Sequence, residues 1–68
     1  MERTPGIQFE KRDHIVVITI NRPEAMNSLT RDMLTGLDEA FVEFDQDPDL
    51  WVAVLTGAGD KAFSAGMD

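Results

Sequence analysis

The chain has 68 residues, no cysteine, and 13 acidic against 6 basic side chains for a net charge of −7. This excludes a disulfide framework and a thiolate metal centre, and it disfavours nucleic acid and anionic membrane as partners, because the net charge repels phosphate. A chain this short buries only about 60% of the surface it exposes when unfolded, so tertiary or quaternary partners are expected to supply much of its stability.

Residues Met1–Gly6 read as a loose lead-in without the apolar run of a signal peptide, and no stretch approaches the length of a bilayer span. The expected location is cytoplasmic. Ile7 and Phe9 then alternate with Gln8 and Glu10, the period of a strand with one wet face. Arg12-Asp13 supplies a turn. From His14 to Ile20 the chain is β-branched on both faces, which suits an inner strand, and the two strands are expected to pair as a hairpin. His14 is the sole histidine. It reads as an ordinary strand residue, since no other ligand type or second catalytic group stands beside it, and no metal site is expected.

Asn21–Asn27 is polar and broken by proline, and so reads as a loop leaving the carboxyl end of that strand. Ser28 or Thr30 is positioned to cap a helix, along which Met33, Leu34, Leu37, Phe41 and Phe44 lay an apolar stripe. Gly36 is expected to weaken this helix by about 1 kcal/mol relative to alanine. Asp45 and Asp47 crowd its negative end, and Asp47-Pro48 stops it. Trp51–Thr56 is a third strand-type run, so strand, helix and strand predict a right-handed βαβ unit. Trp51 reads as a partly buried packing residue, Met26 and Met33 as core, and Gly57 and Gly59 as turn residues. The chain then closes on the small residues Ala62–Asp68. The fold class is therefore α/β, a β-hairpin feeding a βαβ unit, in a single domain over residues 1–68.

Two separated segments carry a family resemblance. Ile18-Thr19-Ile20-Asn21-Arg22-Pro23-Glu24-Ala25-Met26-Asn27-Ser28-Leu29 is similar to the strand-to-helix segment of crotonases, the enoyl-CoA hydratase/isomerase family. Val54-Leu55-Thr56-Gly57, leading through Lys61-Ala62-Phe63-Ser64-Ala65-Gly66-Met67-Asp68, resembles that family's strand and oxyanion loop. The resemblance implies the N-terminal part of a ββα spiral fold and an enzyme that stabilises a thioester enolate. It implies that the backbone N–H of Met67 is the first oxyanion donor. Glycine at position 66 lets the ligand approach the backbone, and an N–H at a helix start adds the positive end of the dipole. It also places CoA against Glu24, Ala25 and Met26, with Ser28 nearby, and against Ala65, Gly66, Met67 and Asp68, the last also read as a helix-start residue.

The substrate so implied is an acyl-CoA thioester, with coenzyme A as part of the substrate and no separate cofactor. A homo-oligomer, trimer or hexamer, is implied for a full-length form. Arg22 and Lys61 are candidate partners for the CoA phosphates. The second donor and the acid–base carboxylates are implied to lie beyond Asp68, so the 68 residues are expected to be incomplete and inactive alone.

Two other readings were open on the residues. Gly57-Ala58-Gly59-Asp60-Lys61-Ala62 fits a Gly-x-Gly-x-x-Ala dinucleotide pattern after a strand. That pattern needs a helix at once and an acidic residue about 20 positions on, and Gly66 and the chain end intervene. The third reading is a non-catalytic α/β interaction module.

Overall fold

The computed structural model describes residues 2–59, 64 and 66. In chain order these form β1 (Glu2–Thr4), β2 (Ile7–Arg12), β3 (Ile15–Ile20), a 3-10 turn (Pro23–Ala25), α1 (Arg31–Gln46) and β4 (Val52–Gly57). The strands lie side by side in sequence order. β1 and β2 pair antiparallel, as do β2 and β3, whereas β3 and β4 run parallel. The expected α/β architecture, hairpin then βαβ unit, is present. Among the described residues no helix is long and apolar enough to cross a membrane.

The hairpin register sets Ile7 opposite Ile20 and Phe9 opposite Ile18. Because side chains alternate along a strand, Ile7, Phe9, Val16, Ile18 and Ile20 fall on one face, and all five are buried. Met33 and Ala40 of α1, with Leu50, complete this core. Thr30 caps the helix, its hydroxyl accepting from the Met33 N–H at 3.2 Å. Asp47 ends it, and its carboxylate is not left against the negative end of the dipole. Lys11 Nζ binds it at 3.0 Å and reaches Glu43 at 3.4 Å. The Asp49 N–H donates to the same carboxylate at 2.9 Å. Led by that backbone bond and then by Lys11, these contacts hold the Asp47 carboxyl below its usual range, and the bond to Asp47 raises Lys11.

Several expectations are corrected. The lead-in contains a strand, β1, because Pro5 and Gly6 turn the chain back with Gly6 at φ 90°. The hairpin turn is Asp13-His14 rather than Arg12-Asp13, so His14 precedes its strand instead of opening it. Leu34 and Phe41 are exposed at the flanks of α1, and Gly36 and Ala40 face the sheet in their place. Trp51 is 68% exposed and stacks flat on the His14 ring at 3.6 Å. Met26 is exposed, whereas Met33 is core as expected.

Gly36 is the small residue at the closest approach of α1 to β1. A Cβ there would sit 2.8 Å from the Thr4 Cβ and Oγ1. Helix propensity alone favours Gly36→Ala by about 1 kcal/mol. Overpacking against a Cβ that cannot swing away costs about 1–3 kcal/mol, so Gly36→Ala is expected to lower the urea midpoint. Combined with Thr4→Gly, the alanine should recover its propensity gain, and a double-mutant cycle reads that coupling directly. Additive effects would show that the helix does not press on β1.

Candidate functional site

β3 and β4 end level, with Ile20 opposite Gly57. Both continuations therefore leave the carboxyl ends of neighbouring parallel strands, the place where open α/β sheets bind ligands. The Ala58 N–H donates to the Ile20 carbonyl at 2.7 Å, which holds the start of the second loop against the start of the first. His14 lies at the opposite end of β3, roughly 20 Å away along a six-residue strand, and takes no part in this site.

The first loop is built around the Arg22 carbonyl, which accepts the N–H groups of Ala25 at 3.0 Å and Asn27 at 2.7 Å. Pro23 suits the opening of the 3-10 turn because its φ is already set. The turn leaves Met26 and Asn27 both left-handed, at φ 52° and 57°. Such backbone costs about 1–2 kcal/mol at a non-glycine residue, with asparagine the more tolerant of the two. The Asn27 amide offsets that cost. Fully buried, its Oδ1 accepts from the Arg22 N–H at 2.8 Å and its Nδ2 donates to the Ala58 carbonyl at 2.8 Å. One side chain thus shapes its own loop and ties it to the next.

The later part of the chain returns to this point. The Ser64 hydroxyl donates to the Asn27 carbonyl at 2.8 Å and accepts the Gly66 N–H at 3.1 Å. The Gly66 carbonyl accepts the Leu29 N–H at 2.7 Å. Gly66 is exposed at φ 89°, and a Cβ built there would meet nothing within 4 Å. The backbone is therefore held from behind and open in front.

Of the residues singled out from the sequence, the structure brings Glu24, Ala25, Met26, Ser28 and Gly66 into one loop cluster. Glu24 and Met26 are exposed and Ala25 is half-buried. Ser28 is buried, its hydroxyl accepting from the Arg22 guanidinium at 3.0 Å. Arg22, considered as a phosphate partner, directs that N–H at its own loop. Lys61, Ala65, Met67 and Asp68 lie outside the described residues. Asn27 and Ser64 were not assigned a role from sequence. The signal for Asn27 was its type, since asparagine is one of few residues that accept left-handed backbone. Nothing local marks Ser64.

A hollow of about 400 Å³ adjoins the first loop, lined by Pro5, Gly6, Asn21, Arg22, Glu24, Thr30, Asp32 and Met33. A larger one of about 580 Å³ runs along the far half of α1. Its walls carry Asp38, Glu39, Glu43 and Asp47, four carboxylates that would repel a phosphate-bearing ligand. Among the described residues no group of three metal-ligating side chains is gathered. The chemistry on offer in the loop cluster is thus mainly that of oriented backbone groups. Gly59, part of the dinucleotide-like pattern, serves loop packing: at φ 84°, its Cβ would lie 3.2 Å from the Pro23 Cβ.

Paired strand-end loops that present backbone at an open glycine define a fold class with many enzyme members. The chain matches the sequence profile of the enoyl-CoA hydratase/isomerase family over residues 10–68, and it belongs to that family, the crotonases. It is 47% identical over 62 residues to an (E)-benzylidenesuccinyl-CoA hydratase of Thauera aromatica, covering 91% of this chain and 24% of that protein. It is 40% identical over 62 residues to a mitochondrial 3-hydroxyisobutyryl-CoA hydrolase of Danio rerio, covering 91% of this chain and 16% of that protein. Among solved structures, a carnitinyl-CoA dehydratase from Mycobacterium avium superposes with a TM-score of 0.88 at 48% identity, covering 93% of this chain and 25% of that one. The chain spans about a quarter of the length of the two bacterial relatives.

Proposed function

We propose that the protein acts on an acyl-CoA thioester through an enolate-like intermediate, most simply as a hydratase or isomerase. The observation that carries this reading is the joining of the Asn21–Leu29 loop to Gly66 at the carboxyl ends of two parallel strands. In this reading the thioester oxygen lies over Gly66, where no Cβ blocks its approach, and the Met67 N–H donates to it as charge develops. Glu24, Ala25 and Met26, with Ser28 behind them, flank the CoA moiety together with Ala65, Gly66, Met67 and Asp68. Coenzyme A enters and leaves as part of the substrate, so no separate cofactor is invoked.

The relatives' names support the ligand class more than the reaction, since a hydratase, a dehydratase and a hydrolase share the CoA thioester. Calorimetric titration of the full-length protein with a short-chain enoyl-CoA tests the proposal. Saturable binding that free CoA competes away is expected, and the absence of any heat of binding would overturn it.

A further inference from the structure

We infer that Ser64 is a positioning residue for the thioester carbonyl, its hydroxyl tying the Gly66 N–H to the buried Asn27 and so, with the Leu29 N–H on the Gly66 carbonyl, fixing the Gly66 backbone; the inference rests on the acyl-CoA reading above. Gly66 is the softest link in its loop, because a glycine at φ 89° has no side chain to restrict it. Two hydrogen bonds from outside the residue hold it. Ser64 Oγ accepts its N–H at 3.1 Å and its carbonyl accepts the Leu29 N–H at 2.7 Å. A trans peptide is planar, so the two bonds fix the peptide units on either side of Gly66, Ser64 the one at its N–H and Leu29 the one at its carbonyl, and together they hold the Gly66 torsions.

Ser64 is the part of this clamp that reaches firm ground. Its hydroxyl hydrogen goes to the Asn27 carbonyl at 2.8 Å, and Asn27 is fully buried with its amide bonded to both loops. One hydroxyl therefore connects a mobile-type backbone unit to an immobile one, spending both its donor and an acceptor lone pair. The exposed Gly66 N–H can turn to water when that hydroxyl is removed, whereas the carbonyl of buried Asn27 loses a donor, so Ser64→Ala also carries the stability cost of that hydrogen bond. What catalysis loses is aim, and oxyanion stabilisation depends on aim.

The test is steady-state kinetics of the full-length protein on a short-chain enoyl-CoA with Ser64→Ala, Ser64→Thr and Ser64→Cys. Ser64→Ala is expected to lower kcat by about 10- to 100-fold, the scale of a misplaced reacting group, with KM changed less than about threefold. Ser64→Thr, which keeps the hydroxyl, should recover most of kcat, and Ser64→Cys, of similar shape but weak in hydrogen bonding, should behave like alanine. An unchanged kcat in Ser64→Ala, a threonine variant as impaired as the alanine one, or a rise in KM alone would each overturn the role of Ser64. An active wild type with an unaffected Ser64→Ala removes only this inference. A wild type that neither binds nor turns over CoA thioesters removes the acyl-CoA reading and this inference with it.

Discussion

Replacing Met67, the proposed oxyanion donor, by proline should lower turnover of a short-chain enoyl-CoA by about 10²- to 10³-fold, while Met67→Leu stays near wild type. The contrast follows from where the chemistry is placed. On the proposal above, proline removes the donating backbone N–H, whereas leucine keeps it and changes only the side chain. A preceding glycine is the residue best able to tolerate the restriction that proline imposes on its neighbour. Affinity for CoA should fall far less than kcat, because the donor acts on charge that develops in the transition state. Kinetics on the full-length protein check this, with near-ultraviolet circular dichroism confirming the fold. Equal losses in the proline and leucine variants would assign the effect to the side chain and remove the backbone-donor account.

Asn27→Ala is expected to destabilise the protein by about 3 kcal/mol in urea unfolding. The change deletes two part-buried side-chain hydrogen bonds, at about 1 kcal/mol each. It also puts alanine at φ 57°, at a further cost of about 1 kcal/mol. Asn27→Gly separates the two contributions, since it loses the same bonds but accepts the backbone conformation, and should be the milder by about 1 kcal/mol. If alanine and glycine both leave the midpoint within error of wild type, the two loops do not depend on that amide.

The elements that sequence revealed are those with a local period. β2 alternates, β3 is continuously β-branched, and α1 has a capping threonine and a proline stop, so each was legible within its own window. β1 was missed because Glu2-Arg3-Thr4 has no alternation, although Pro5-Gly6 is a turn signal that foretells a returning strand. The buried face of α1 was misjudged by side-chain size. Leu34 and Phe41 outweigh Gly36 and Ala40 in any hydrophobic stripe, yet the small pair faces the sheet because the helix comes within Cβ contact of Thr4. Trp51 was misjudged because its partner is a ring in a distant turn, and stacking does not require burial.

The candidate site divides in the same way. Motif similarity reached Glu24, Ala25, Met26, Ser28 and Gly66, residues that lie on contiguous stretches. It did not reach the bonds that join the stretches, such as Ser64 to Asn27 across 37 positions, because no local pattern encodes a partner that far along the chain. Loop residues held by long-range side-chain bonds are invisible until the strands that carry them are set side by side.

On the acyl-CoA proposal, the two strand-end loops form a site for a CoA thioester and not for a dinucleotide. Parallel calorimetric titrations of the full-length protein with a short-chain enoyl-CoA and with NAD test it most directly. Saturable binding of the thioester, competed by free CoA, with no binding of NAD is expected; saturable binding of NAD with no response to the thioester would overturn the acyl-CoA proposal and return the Gly57-Ala58-Gly59 loop to a dinucleotide role.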